Sequence, residues 1–245
     1  MNNLNSSELV SNYKNFMNKI KDVCQISMRN VEDVKLVVVT KGHSISEIEA
    51  IIQAGAKIIG ENYPEETSEK KTSIGSIAKK VQWHMIGHLQ SRKSKLMLEN
   101  YDYFQALDSL KLASRLNQQI LEEREPLPVL LQYNVGGEES KFGWDASNES
   151  KWPELLKDLN AIVKFKKIDV NGLMTMPPLS NNKDQNRFYF ERLRRLAEFF
   201  TEELPDINFN ELSMGTSHDY EEAIKEGATF IRIGTAIMGE RDYSH

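Results

Sequence analysis

Several features are scarce or missing in this chain of 245 residues. It has one cysteine, Cys24, which excludes an intrachain disulfide and a cysteine-based metal cluster. No apolar run approaches the roughly 20 residues that a membrane-spanning helix needs, and residues 1–8 lack the basic and apolar regions of a signal peptide. The formal net charge of −5 gives no excess of positive charge for binding nucleic acid. These absences predict a cytoplasmic protein with neither a membrane span nor a nucleic-acid partner.

Short apolar segments alternate with helical segments along the chain. An amphipathic helix through Leu9, Phe16 and Cys24 comes before the first of them. The segments expected to be strands are 36–39, 58–60, 81–86, 101–106, 128–134, 170–175, 211–213 and 229–233. This alternation is typical of a (β/α)₈ barrel, and a doubly wound open sheet would show a similar one. Because 40% of the residues are hydrophobic and no linker or repeat divides the chain, residues 1–245 are predicted to form one α/β domain, a single (β/α)₈ TIM barrel with an extra N-terminal helix.

Local signals place several helices between these strands. Ser44 and Glu47 form a capping box, and Gly55 is expected to end the helix that follows it. Asp108 or Ser109 caps a helix that continues to about residue 120. A later helix is predicted to turn one apolar face inwards, comprising Phe188, Leu193, Leu196, Ala197 and Phe200.

Lys41 follows the apolar, largely β-branched segment 36–39 and stands directly before Gly42. A lysine at the carboxyl end of a buried strand points towards the mouth where α/β folds build their sites. Desolvation there would lower the pKa of the amine and make it a nucleophile towards carbonyl compounds. A surface lysine at a strand end is the alternative that this segment alone leaves open.

Two strand ends near the carboxyl terminus run into small and hydroxyl residues. Ser213, Gly215, Thr216 and Ser217 precede a helix, where free backbone N–H groups favour an anion. A second such corner, Gly234–Thr235, follows the last strand. In barrels the loops after the seventh and eighth strands commonly hold a phosphate together. Ordinary helix capping explains the first corner equally well, but it explains the second one less well.

Arg232 lies inside the last apolar strand, between Ile231 and Ile233. Its side chain therefore points into the barrel mouth or interior, where a guanidinium needs an acceptor. A ligand atom and a protein carboxylate both meet that need. An amine, a phosphate corner and an inward arginine together suit pyridoxal 5′-phosphate, which needs a partner for its aldehyde, its phosphate and its ring nitrogen.

Two other constellations are weak. Ser217, His218 and Asp219 are consecutive, and a catalytic triad is built across space. His84 and His88 are four residues apart, but they lie on a predicted strand and loop without the glutamate of a zinc-protease helix. No metal site is therefore predicted.

The sequence closely resembles the pyridoxal-phosphate homeostasis protein family, which is similar to the barrel domain of alanine racemase without its second domain. The resemblance runs from about Val37 to Tyr243. The segments that carry it are Val-Thr-Lys (39–41), Gly-Glu-Asn (60–62), Trp-His-Met-Ile-Gly (83–87), Leu-Gln-Ser (89–91), Glu-Ser-Lys-Phe-Gly (139–143), Gly-Leu-Met (172–174), Leu-Ser-Met-Gly (212–215) and Arg-Ile-Gly-Thr-Ala-Ile-Met-Gly-Glu-Arg-Asp-Tyr (232–243).

The resemblance implies a role for each matching position. Lys41 would form the internal Schiff base, and Arg232 would face the pyridine nitrogen and disfavour its protonation. The residues implied around the phosphate are Ser213, Met214 by its backbone, Ser217, Gly234 and Thr235. Those implied to line the rest of the pocket are Asn62, His84 and Met174. His43, His88 and residues 216–218 depart from the common family pattern, which affects only the fine geometry of the cradle.

The family is understood as non-catalytic, buffering the cofactor and delivering it to apoenzymes that depend on it. Racemisation needs two bases on opposite faces of the cofactor, and the racemase takes the second from the domain that has no counterpart here. Since racemase barrels usually dimerise through that domain, a monomer is expected. The alternative is a racemase-like enzyme that uses Lys41 with His84 or Tyr63, and a third is a barrel that binds a different phosphorylated metabolite.

Overall fold

The computed structural model describes residues 4–240, and its strands form a closed parallel barrel. The strands are β1 (Lys35–Val39), β2 (Ile58–Glu61), β3 (Gln82–Met85), β4 (Tyr103–Leu107), β5 (Leu127–Asn134), β6 (Trp144–Asp145), β7 (Ile168–Met174), β8 (Glu211–Ser213) and β9 (Phe230–Ile233). Their order is β4-β3-β2-β1-β9-β8-β7-β5, and pairing of β4 with β5 closes the ring. The predicted barrel is therefore confirmed, and the open-sheet alternative is excluded.

Helices surround the barrel and connect consecutive strands. They are α1 (Ser6–Ile26), α2 (Ile45–Gln53), α3 (Pro64–Ile74), α4 (Ser94–Asn100), α5 (Leu110–Gln119), α6 (Trp152–Ile162), α7 (Lys183–Glu203), α8 (Tyr220–Lys225) and α9 (Thr235–Met238). The extra N-terminal helix is α1, as predicted. Two elements are not among those predicted from the sequence: α6, and the short β6, which pairs with the last two residues of β5.

Local capping chemistry sets several helix ends as expected. The capping box of Ser44 and Glu47 is present at the start of α2, and Gly55 adopts φ 109° just after that helix ends. Ser109, rather than Asp108, caps α5. Asp108 pairs instead with His88, at 2.6 Å between Oδ2 and Nδ1.

The inner face of α7 differs from the predicted face at one position. Phe188 is 50% exposed, whereas Phe190 is fully buried together with Leu193, Leu196 and Phe200. The ring of Phe188 lies beneath the guanidinium of Arg192, at 4.3 Å from the ring centroid. The prediction for Phe188 was therefore wrong, because hydrophobicity alone does not distinguish two phenylalanines two residues apart on a helix.

Candidate functional site

A cavity of about 250 Å³ opens at the carboxyl ends of the barrel strands. This volume is just below the roughly 300–1,000 Å³ found for small-molecule sites. Its polar lining combines an amine, a guanidinium, an amide and several hydroxyls. The lining residues are Val39, Lys41, Asn62, Ile86, Met176, Thr216, Ser217, His218, Arg232, Gly234 and Thr235. Most of the residues predicted to bind the cofactor are thus brought together at one cavity.

Lys41 occupies a tight turn directly after β1. The Thr40 N–H donates to the Gly60 carbonyl of β2 at 3.2 Å, and the His43 N–H donates back to the Thr40 carbonyl at 3.1 Å. Gly42 adopts φ 74°, the positive value required at the third position of a type II turn. Glycine adopts this conformation without strain, so Gly42 lets the chain turn immediately after Lys41.

A buried charged cluster lies behind this turn. Lys70 of α3 is 5% exposed, and its Nζ contacts Glu61 Oε1 at 2.6 Å, Glu66 Oε1 at 2.6 Å and the Thr40 carbonyl oxygen at 2.8 Å. Glu61 also accepts the hydroxyl of Thr40 at 2.6 Å. Glu66 accepts the N–H of Gly42 at 2.9 Å.

The pKa values of the two carboxylates in this cluster are shifted in opposite directions. Burial raises the pKa of Glu61, outweighing the charge of Lys70 and the hydrogen bonds from Lys70 and Thr40. Burial also acts to raise the pKa of Glu66, but hydrogen bonds from Lys70 and Gly42, with the charge of Lys70, lower it overall. Glu66 is therefore the carboxylate of the pair that is more firmly ionised.

The two anion corners predicted from the sequence meet at the cavity. Asp219 Oδ1 accepts the N–H of Thr216 at 2.6 Å and its hydroxyl at 2.9 Å, whereas it accepts no N–H from the first turn of α8, although Asp219 is the N-cap of that helix. Ser217 behaves differently, because its hydroxyl accepts the N–H of Ala236 from the second corner at 3.3 Å. α9 begins at Thr235, so the first N–H groups of its turn lie beside the Ser217 hydroxyl. Asp219 therefore engages Thr216, whereas Ser217 joins the two corners into one cradle.

Arg232 is 3% exposed and extends from β9 to the cavity wall. Its guanidinium donates to the Ser213 hydroxyl at 2.5 Å and the Thr175 carbonyl at 2.8 Å, and it contacts the sulfur of Met176. Within residues 4–240 it forms no salt bridge with a carboxylate, which removes the structural ion-pair alternative for the part of the chain described. Burial lowers the pKa of Arg232 to about 10, with the charge of Asp219 opposing, so the guanidinium stays charged at neutral pH.

A row of hydrogen bonds continues from Arg232 into the barrel interior. The Ser213 hydroxyl donates to Gln105 Oε1 at 2.7 Å, and the Gln105 amide donates to His84 Nδ1 at 2.8 Å. Since His84 Nδ1 accepts, the neutral imidazole carries its proton on Nε2, which has no partner among the described residues. Burial, with a smaller contribution from Lys35, lowers the pKa of His84 to about 3.

Four of the predicted binding residues are not part of this cavity's lining. His84 and Ser213 belong to the interior row of hydrogen bonds, and Ser213 accepts a hydrogen bond from Arg232, which lines the cavity. Met214 is fully buried, and its N–H donates to the Phe230 carbonyl at 3.1 Å within the sheet. That amide is therefore already engaged, and the structure does not turn it towards the cavity. Met174 lines a neighbouring cavity instead.

The neighbouring cavity has a volume of about 480 Å³ and shares Asn62, Ile86 and Met176 with the first. His88 lies on its wall, with its ring stacked on Phe142 at 3.8 Å between centroids. The Oδ1 atom of Asn62 is buried and has no hydrogen-bond partner among residues 4–240. Because a buried acceptor without a donor costs free energy, this atom is suited to a donor from a ligand or water at the junction of the cavities.

Several residues around the cavity were not among the predicted cofactor-binding residues. Thr216 and His218 lie in the predicted corner and could have been included, and Glu61 stands in the Gly-Glu-Asn segment. Gln105 and Lys70 carry no sequence signal, because only the closed barrel and the packing of α3 bring them to Ser213 and Thr40.

Residues 4–240 hold neither a metal-binding cluster nor a membrane-spanning helix. No group of three or more histidine, cysteine, aspartate or glutamate side chains is placed there to hold a metal ion. No helix in that part of the chain is long and apolar enough to cross a membrane. The last residues of the resembling motif, Arg241 to Tyr243, lie outside the described residues.

Comparison with known proteins gives matches along nearly the whole chain. The family model of the alanine racemase N-terminal domain matches residues 11–242. The pyridoxal phosphate homeostasis protein of Haemophilus influenzae is 39% identical over 226 residues, covering 92% of this chain and 93% of the relative. That of Escherichia coli is 36% identical over 243 residues, covering 97% and 99%.

Solved structures show the same barrel. PipY of Synechococcus elongatus with PLP bound is 29% identical, has a TM-score of 0.76, and is matched over 90% of this chain and 99% of its own. An alanine racemase of Clostridium difficile is 16% identical with a TM-score of 0.67, over 93% of this chain and 56% of the racemase chain. The second likeness concerns the fold alone.

Proposed function

The chain belongs to the pyridoxal phosphate homeostasis protein family, which carries the alanine racemase N-terminal domain, and on this premise we propose that it binds pyridoxal 5′-phosphate at Lys41 and holds it in reserve. The observation that carries the proposal is the cavity that places Lys41 together with Arg232 and the joined hydroxyl corners. PipY, a 29% identical protein of the same fold, has been solved with PLP bound.

The residues present fit this cofactor. When bound, pyridoxal phosphate supplies an aldehyde that condenses with an amine, with loss of water, and a ring that can withdraw electrons. Lys41 is the amine at the cavity wall, and the Ser217 and Thr235 corner offers hydroxyl and N–H donors to the phosphate. Arg232, a buried cation, would face the ring nitrogen and disfavour its protonation, which weakens the ring as an electron sink.

The arrangement favours storage over catalysis. Racemisation needs a second base on the opposite face of the cofactor from the lysine. Of the two residues that could supply it, His84 lies in the barrel interior outside the cavity, where its pKa of about 3 makes it a weak base, and Tyr63 lines the neighbouring cavity rather than this one. The names of the relatives, which are homeostasis proteins, agree with a role that is not enzymatic. The racemase-like alternative keeps only Tyr63.

Absorbance of the purified protein loaded with pyridoxal phosphate tests the binding site. We expect a visible band that survives gel filtration, because attachment to Lys41 is covalent, and that is absent in Lys41→Ala. Lys57→Ala is the control, since Lys57 immediately precedes β2 and so lies at the opposite end of the barrel from the cavity. A band that persists in Lys41→Ala would contradict the proposed attachment site.

Exchange of the α-proton of alanine in deuterium oxide separates storage from catalysis. We expect no exchange above that of free pyridoxal phosphate. Rapid exchange that is lost in Tyr63→Phe would instead support the racemase-like alternative.

The same proposal includes a cytoplasmic location, a monomeric state and delivery of the cofactor to apoenzymes. Transfer of cofactor to an apoenzyme in the presence of a trap for free aldehyde tests the delivery.

A further inference from the structure

Two residues of α3 form hydrogen bonds with the backbone on either side of Lys41. Lys70 donates to the carbonyl of Thr40, the residue before Lys41, and Glu66 accepts from the N–H of Gly42, the residue after it. We propose that Lys70 and Glu66 are positioning residues, which set the direction in which Lys41 presents its amine to the cofactor. This inference rests on the proposed function, because it assumes that Lys41 is the attachment point.

The cluster acts on the turn through one shared set of atoms. Glu66 Oε1 accepts both the Gly42 N–H and the Lys70 ammonium, and Lys70 in turn reaches Thr40 and Glu61. A displacement of α3 is therefore passed to both peptide groups that flank Lys41. Because a lysine side chain has several freely rotating bonds, the orientation of its backbone decides which volume its amine samples.

A purely structural role explains the cluster less well. Lys70 is 5% exposed and Glu61 is fully buried, and Glu61 Oε2 has no partner among the described residues. Apolar side chains of similar size at such positions often give equal or greater stability than a buried ion pair. What this cluster fixes specifically is the backbone geometry of residues 40–42, because two of its hydrogen bonds are made with the backbone of those residues.

The cluster is built from the ends of two neighbouring strands and one face of α3. Lys70 follows Glu66 by four residues, so both side chains lie on one face of the helix and meet at 2.6 Å. Glu61 ends β2, the parallel neighbour of β1, and lies beneath Thr40. The cluster thus joins the end of β1, the end of β2 and the first turns of α3 at the point where Lys41 emerges.

The test compares variants of a partly exposed position, which are expected to fold. Glu66→Ala removes both the acceptor for Gly42 and the partner of Lys70, whereas Glu66→Gln keeps a neutral acceptor oxygen. Glu65→Ala is the matched control, because Glu65 is in the same helical turn and pairs with Lys93, away from residues 40–42. Lys70→Met and Lys70→Arg form a second series at the buried position.

Two quantities are measured for each variant, and both require cofactor. One is the apparent dissociation constant of pyridoxal phosphate from absorbance titration, and the other is the visible circular dichroism per unit absorbance, which reports the fixed orientation of the ring. We expect Glu66→Ala and Lys70→Met to weaken binding by about tenfold or more, the effect of losing charged hydrogen bonds. We also expect them to change the dichroism, with Glu66→Gln and Lys70→Arg recovering part of both quantities.

The outcomes distinguish the two levels of the proposal. If the unmodified protein shows no band that depends on Lys41, the proposed function itself fails. If that band is present but Glu66→Ala matches Glu65→Ala in affinity and dichroism, the positioning role is wrong. A lower melting temperature of the cofactor-free variant with unchanged dichroism and affinity would likewise assign the cluster a structural role only.

Discussion

Burial decides the chemistry of individual side chains at this barrel mouth. Arg232 and His84 are joined by the same row of hydrogen bonds, yet burial leaves the first charged and the second neutral at pH 7. The reason is the distance of each ordinary pKa from neutrality, since a guanidinium starts above 12 and an imidazole near 6.5. Arg232 therefore supplies a permanent positive charge, and His84 supplies a neutral hydrogen-bond acceptor.

The neutral state of His84 predicts a specific pH dependence of stability. Its folded pKa of about 3 lies below the value of about 6.5 in the unfolded chain. Between these two pH values the unfolded state binds more protons than the folded state. The contribution of neutral His84 to the free energy of unfolding is therefore complete above pH 6.5 and is lost as the pH falls towards 3. We expect His84 to lower the free energy of unfolding by about 2 kcal/mol between pH 7 and pH 5.

Urea unfolding of His84→Asn at several pH values checks this expectation. The variant keeps an acceptor near Nδ1 but has no imidazole to protonate, so its stability should fall less steeply below pH 6.5 than that of the parent. The exposed His218 provides the control variant, His218→Asn. Parallel curves for His84→Asn and the parent would show that His84 does not titrate on unfolding.

At the scale of elements, an irregularity in β7 sets how closely this strand approaches β8. Val129 of β5 pairs with Val170, and the next residue, Leu130, pairs with Gly172, so Asn171 is an extra residue in β7. A Cβ on Gly172 would lie 1.8 Å from the Glu211 carbonyl oxygen of β8. Glycine is therefore required at this bulge by the close approach of the neighbouring strand.

Gly172→Ala should destabilise the protein much more than a glycine substitution in open space. At Gly55, with φ 109° and no atom within 4 Å of where a Cβ would lie, alanine costs only the backbone strain, about 1 kcal/mol. At Gly172 the clash with backbone is added, and we expect a total of about 4 kcal/mol. Free energies of unfolding of the two variants check this, and equal values would contradict the steric argument.

For the molecule as a whole, α1 is packed as part of the barrel. Its apolar face lies against α2, α8 and α9, and the ring of Phe16 is 4.8 Å from that of Tyr220. Asn12 donates to the Ile237 carbonyl at 3.2 Å, which connects α1 to the element that begins at the Thr235 corner. This packing predicts that α1 and the barrel unfold as one cooperative unit.

Leu9→Ala tests that cooperativity. Leu9 is fully buried, so the truncation should lower the free energy of unfolding by about 3 kcal/mol. Fluorescence of the three tryptophans, all in or near the barrel, and far-ultraviolet circular dichroism should shift to the same lower urea midpoint. Separate midpoints for the two signals would show that α1 unfolds independently.

Much of this fold was predictable because it depends on local rules. Apolar β-branched runs located the barrel strands, and the capping box at Ser44 located the start of α2. The two-residue strand β6 carries too few residues for any periodic signal. The exposure of Phe188 depends on the rotation of α7 about its own axis. That rotation is set by packing against residues that are distant in the chain.

The same division applies to the site. From the sequence alone, Lys41, Arg232 and the Thr235 corner could be placed at strand ends of one barrel, because parallel strands bring their carboxyl ends to a common mouth. Only the tertiary structure decided that His84 and Met214 lie outside the lining of the cavity, that Ser217 joins the two corners, and that Lys70 and Glu66 hydrogen-bond to the turn around Lys41. Those arrangements depend on side-chain directions and on contacts between distant segments, which local sequence patterns do not encode.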